Sequence, residues 1–208
     1  MITILYHFKK FRSLLAFMLF GMATWVNANE CKELYLQGKI NDAFEVCSSM
    51  SQASPVDSYD YLWSQLILFD IEFHKGDHEV ALQKLLKFSK LDMSSSFRYE
   101  VLRRQGHYFR VKKRYLPAKD YYQDALTIAE ELNSNVKLAK SYNDLGLIFL
   151  KEKKYDESIN LLTQSLKIKR ELNDPEYIRT TITNLGLLYF KTDEYDSAIE
   201  HYQEAEKI

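Results

Sequence analysis

Apolar positions divide the chain into two unlike stretches. From Leu14 to Val26 the chain runs without a charge. Beyond residue 30 the apolar and aromatic positions are interrupted by polar ones and return at a fixed spacing. In the C-terminal half one step of forty positions relates Gly106, Gly146 and Gly186; Phe109, Phe149 and Tyr189; Tyr115, Tyr155 and Tyr195; Tyr122, Leu162 and Tyr202; Ala125, Ser165 and Ala205; and Ile128, Ile168 and Ile208. So many columns at one period identify an internal repeat.

Each glycine of the repeat is followed twelve positions later by a small residue, Ala118, Ser158 or Ala198. Glycine inside a helix costs about 1 kcal/mol relative to alanine, so its recurrence at one register predicts two helices in close approach, with the small residue at the meeting point. Leu132-Asn133-Ser134-Asn135 and Leu172-Asn173-Asp174-Pro175 carry helix-stop and helix-start chemistry, with Asp174 a candidate N-cap and Pro175 at the first helical position. Asp156 and Asp196, after Tyr155 and Tyr195, put a carboxylate near unpaired N–H groups at the start of each second helix. Each unit therefore predicts helix, turn, helix.

Upstream the pattern weakens. Gly76-Asp77 followed by Ala81, Leu85 and Phe88 predicts a turn and second helix, but the glycine position of that unit is Phe69, which would hold the helices apart unless the register slips by a residue. The earliest unit runs from Cys31 to Cys47, with Gly38 at the turn and Ala43 in the small-residue slot. The prediction is an all-α fold, an α-solenoid of about five antiparallel helical hairpins. The clearest repeats are about 98–134, 135–174 and 175–208, and the degenerate ones about 30–53 and 57–92.

These residues resemble the tetratricopeptide repeat family, whose motif is an aromatic or apolar residue, then Leu-Gly, an aromatic, and later Ala, an aromatic and Ala. Tyr142, Leu145, Gly146, Phe149, Ser158, Leu162 and Ser165 match it, as do Ile182, Leu185, Gly186, Tyr189, Ala198, Tyr202 and Ala205. The period of forty exceeds the family's usual ~34 residues, so the chain is similar to its long-helix variants.

The first stretch changes the picture of where the protein works. The segment up to Ala28 holds Lys9, Lys10 and Arg12 but no Asp or Glu, and its basic start is followed by the short apolar run and Val26-Asn27-Ala28. That order is a signal peptide, and the run is short of the ~20 residues that span a bilayer. The expectation is cleavage after Ala28, a mature domain over 29–208, and a periplasmic or secreted location, with an uncleaved anchor as the alternative. Losing the leader leaves 25 basic against 29 acidic residues, which excludes a general nucleic-acid role driven by net charge. Only three prolines and six glycines are present, too few for low-complexity disorder.

Two cysteines in an exported chain suggest a disulfide. Cys31 and Cys47 lie equidistant from Lys39, so a hairpin turning there brings them opposite each other; two buried free thiols are the alternative. His74, Asp77 and His78 have metal-ligand residue types but straddle the Gly76 turn, and read as a solvated turn. No nucleophile elbow, phosphate loop or HExxH motif occurs. Acids such as Glu130 and Glu131 read as helix surface, and the periodic aromatics as core. No enzyme activity, cofactor or metal is expected.

By resemblance, the first helices of successive units line a concave face that binds a protein or peptide. That face would comprise Arg103, Arg104, His107 and Arg110; Lys140, Asn143, Asp144, Leu147 and Lys151; and Thr183, Asn184, Leu187, Phe190 and Lys191. Related repeats use an Asn at the position of Asn184 to grip peptide backbone, whereas the equivalents here are Arg104 and Asp144. The arginines point to an acidic partner at one end beside an apolar end, with an ordinary solvated helix face as the alternative. A second functional class is the N-terminal sensory part of a larger membrane signalling protein of the diguanylate cyclase or histidine kinase type.

Overall fold

A computed structural model describes residues 30–56, 58–88, 91 and 93–208. The expected leader, residues 1–28, and its cleavage point lie outside the described residues. Those described are helical, with no strand among them. None of their helices is long and apolar enough to cross a membrane. They fall into two compact units, one up to residue 92 and one from Met93 to Ile208.

The first unit begins with α1, helical over 30–36, and continues with α2 (Ile40–Ala53), α3 (Tyr59–Lys75) and α4 (His78–Phe88). Gly38 and Gly76, at φ 73° and 92°, end α1 and α3 in the left-handed conformation that glycine adopts without steric cost. Cys31 and Cys47 form a disulfide with Cα atoms 5.2 Å apart, buried with Ala43, Met50, Ile67 and Ile71. In α3, Phe69 is buried and stacked on Phe73, with ring centroids 5.5 Å apart. The register has not slipped, because Gly76 closes the turn and Ala81 and Leu85 are both buried.

The second unit is built from α5 (Ser95–Val111), α6 (Tyr115–Glu131), α7 (Asn135–Lys151), α8 (Tyr155–Glu171), α9 (Pro175–Lys191) and α10 (Tyr195–Glu206). Helix starts are evenly spaced, half a repeat apart. Each of the first five helices is followed by one residue at positive φ: Lys113, Asn133, Lys153, Asn173 and Asp193. The N–H groups of Arg114, Ser134, Lys154 and Glu194 then reach back along the chain to the carbonyls of Phe109, Ala129, Phe149 and Tyr189. This closure satisfies carbonyls that a helix end otherwise leaves unpaired. Asp174 caps α9, accepting from the Tyr177 N–H at 3.2 Å, with Pro175 in the first turn. Asp156 and Asp196 lie in the first turns of α8 and α10, but the N-cap residues are Lys154 and Glu194, which make no side-chain cap bond.

The recurrent glycines face the next helix at a common register. A Cβ at Gly106 would lie 2.6 Å from Tyr122 Cε1, at Gly146 2.9 Å from Leu162 Cγ, and at Gly186 2.9 Å from Tyr202 Cε1. The small residue expected at the meeting point is in direct contact in one unit, where Ser158 Oγ donates to the Gly146 carbonyl at 2.8 Å. Counted back from the turns, Cys31 and Cys47 occupy the same two positions as Gly106 and Tyr122. The disulfide thus joins the first hairpin at its point of closest approach.

Candidate interaction groove

Helices α5, α7 and α9 lie side by side in the second unit, and their residues supply most of a groove of about 650 Å³. Of the residues expected on this face, Arg103, Arg110, Lys140, Asn143, Asp144, Leu147, Lys151, Asn184 and Leu187 line it. Arg104, His107, Thr183, Phe190 and Lys191 do not. Arg104 pairs with Glu100 at 3.0 Å, one helical turn earlier. The Thr183 hydroxyl donates to the Arg179 carbonyl, and Phe190 is half exposed with its ring edge against Tyr195.

Cross-helix bonds tie the floor, joining α7 to each neighbouring first helix. Arg103 Nε donates to Asp144 Oδ2 at 2.6 Å, and Asn184 Nδ2 donates to Asn143 Oδ1 at 2.9 Å. The Asn184 amide, the expected backbone grip, is therefore engaged within the protein. Burial pulls the Arg103 guanidinium pKa down, but Asp144 beside it outweighs that and leaves it raised. Burial likewise pushes the Glu100 carboxyl up, yet Arg104, Arg103, Lys140 and Lys137 around it hold its pKa below the usual carboxylate range.

Five groove residues were not legible from the family motif: Leu150, Lys169, Glu176, Tyr177 and Thr180. Lys169 reaches the groove from α8, a second helix, and is buried with its ammonium donating to Thr181 Oγ1 at 2.5 Å. It replaces the buried Ala129 of the preceding repeat, which is a signal the sequence did carry. Lys140 and Lys169 both lie over the Tyr177 ring, 4.8 and 5.7 Å from its centroid, a distance at which the ring's π face attracts a cation.

The groove holds five cations, Arg103, Arg110, Lys140, Lys151 and Lys169, against two carboxylates, Asp144 and Glu176. Both carboxylates are already engaged, Asp144 by Arg103 and Glu176 by Arg179. Arg110, Lys140, Lys151 and Lys169 have no carboxylate within ion-pair distance among the described residues. Leu147, Leu150 and Leu187 add an apolar strip. The lining is therefore cationic beside an apolar strip. In the first unit, an apolar pocket is lined by Tyr35, Leu36, Ile40, Ile71, His74 and Lys75. The imidazole Nδ1 of His74 lies 2.6 Å from the Asp70 carbonyl, and His78 stands edge-on to Phe73.

The family profile described as Tetratricopeptide repeat matches residues 98–171 and 138–208. No curated protein sequence matches the chain. The solved structure of pilF from Pseudomonas aeruginosa superimposes with a TM-score of 0.66 at 18% identity, covering 90% of this chain and 77% of that one. A putative kinesin light chain from Podosopora anserina gives 0.63 at 15% identity, covering 88% and 92%. A signal transduction ATPase with a tetratricopeptide repeat sensor, from Pyrococcus horikoshii, gives 0.69 at 20%, covering 85% of this chain but only 26% of that one. At these identities the likeness is one of fold.

Proposed function

The chain belongs to the tetratricopeptide repeat family, and from that premise we propose that it is a non-enzymatic periplasmic or secreted binding module that holds an acidic protein or peptide segment in the groove of its second unit. Repeats of this family generally act as scaffolds for protein–protein interaction. The observation that carries the acidic preference is the set of four cations, Arg110, Lys140, Lys151 and Lys169, without a carboxylate partner beside the leucine strip. Interfaces of complementary charge speed association and set specificity. Export is supported by the basic, acid-free start with its short apolar run and by the bridged Cys31 and Cys47, since disulfides persist in oxidising compartments.

The test is partner capture by crosslinking in the periplasm, with Lys140→Glu/Lys151→Glu beside the wild type after equal helicity is confirmed. Loss of the captured species in the variant supports the groove; equal capture moves the site elsewhere. Arg103 is unsuited to this test, because removing it would leave the half-buried Asp144 without its partner. Export is checked by intact mass, which should correspond to a chain starting at or near Asn29.

A second reading, the sensory part of a larger signalling protein, draws on the likeness to the signal transduction ATPase with a tetratricopeptide repeat sensor, and the gene's reading frame tests it: a signalling domain encoded in the same frame would support it.

A further inference from the structure

Lys169 is the least expected residue of the groove. Its ammonium has three N–H groups to satisfy, yet the described residues offer one hydrogen-bond acceptor, Thr181 Oγ1, and the face of Tyr177. The side chain is buried, with only 3% of the residue's surface exposed. The charges that reach it come from each neighbouring element. Arg103 of α5 and Lys140 of α7 repel it, while Asp144 of α7 and Asp174 before α9 attract it. Asp144 is bound to Arg103, and Asp174 is occupied as the cap of α9. Burial, the dominant influence, pushes the ammonium pKa down to about 8. A buried ammonium without a counter-ion is costly, and such uncompensated charge concentrates at functional sites.

We propose that Lys169 is the residue that selects the groove's occupant, its ammonium taking a side-chain carboxylate of an acidic peptide segment inserted between α7 and α9 beside Tyr177. This rests on the groove reading above and adds to it a single decisive contact and a proton linkage. A carboxylate at the ammonium favours its charged form, so the bound complex holds the proton to higher pH than the free protein does. Affinity is then level below about pH 8, where Lys169 is protonated in both states. It falls as pH rises further, because binding must first restore the proton.

The experiment uses protein carrying 13C at the lysine Cε positions, with capped hexaglutamate and capped hexaglutamine as probes. The Lys169 resonance is assigned by its loss in Lys169→Met and in Lys169→Arg, so that one misfolded variant does not prevent the assignment. Saturating hexaglutamate should move that resonance and raise its titration midpoint by about one pH unit or more, and affinity should fall about tenfold between pH 7 and 9.5. Lys169→Met should bind hexaglutamate several-fold more weakly at pH 7 and lose the pH dependence, and hexaglutamine should leave the resonance unmoved. If hexaglutamate shifts Lys140 and Lys151 while the Lys169 midpoint stays in place, or if Lys169→Met binds as the wild type does, the role of Lys169 is overturned and the groove reading stands. If no groove lysine responds to either peptide, both fail.

Discussion

Replacing Gly106 with alanine should destabilise the second unit, although the same change in an open helix would stabilise it. Alanine is favoured over glycine by about 1 kcal/mol in a helix interior. Against that, the new Cβ would stand 2.6, 2.7 and 3.0 Å from three ring atoms of Tyr122. Tyr122 is buried and clustered with Ala118, Leu145 and Ile148, so the ring cannot turn away without displacing α7. Overpacking of this kind costs about 1–3 kcal/mol, and the hemmed ring places Gly106 at the upper end. The net loss is about 1–2 kcal/mol, or roughly 2–8 °C in Tm for a chain of this size. Gly146→Ala, with Leu162 Cγ at 2.9 Å, should lose less, and Gly186→Ala should be neutral or stabilising, because Tyr202 is 39% exposed and free to swing outward. The assay is urea and thermal denaturation followed by circular dichroism, with Tyr122→Ala alone and combined with Gly106→Ala. A coupling of at least ~1 kcal/mol in that cycle is expected. A Gly106→Ala variant as stable as the wild type, or the reverse ranking of the three sites, would refute the close-approach argument.

Lys169→Met should be more stable than the wild type near neutral pH by about 1–3 kcal/mol, since the lowered ammonium pKa corresponds to a penalty of about 3 kcal/mol. Because the folded pKa lies below the unfolded one, that penalty is full below pH 8 and disappears as pH rises toward 10.5, so denaturation at pH 7 and pH 10 should show the gap closing. Lys153→Gly should stabilise by roughly 0.5–1 kcal/mol, because lysine is strained at φ 61° and glycine is not; an unchanged midpoint would count against the turn geometry. Replacing Cys31 and Cys47 by serine should cost the first unit about 3 kcal/mol for a loop of this size. Hydrogen exchange should show that loss confined to residues before 92, since repeats depend mainly on their neighbours.

The order of residues along the chain was enough to predict the repeat and the hairpins, and it set Cys31 opposite Cys47 while leaving two free thiols open. Those features depend on periodicity and turn chemistry, both local: the repeat columns, Gly38 and Gly76 at left-handed turns, and Asp174-Pro175 at a helix start each act within a short reach of themselves. Which side chains meet across helices was decided only in three dimensions. Spacing paired each glycine with a small residue twelve positions on, whereas the Tyr122 ring that fills the space at Gly106 was decided by how the two helices cross. Arg103 and Asp144 both belong to the expected face, but their mutual bond depends on the stacking of α5 on α7, which offsets the contact by one position from the repeat period. Lys169 stands in the column of the buried Ala129, a signal in the sequence, but its place beside Thr181 and Tyr177 was settled only by the packing of α8 against α7 and α9. A sequence period records which face of its own helix a residue occupies; the partner on that face is chosen by crossing angle and stacking, which belong to the whole unit.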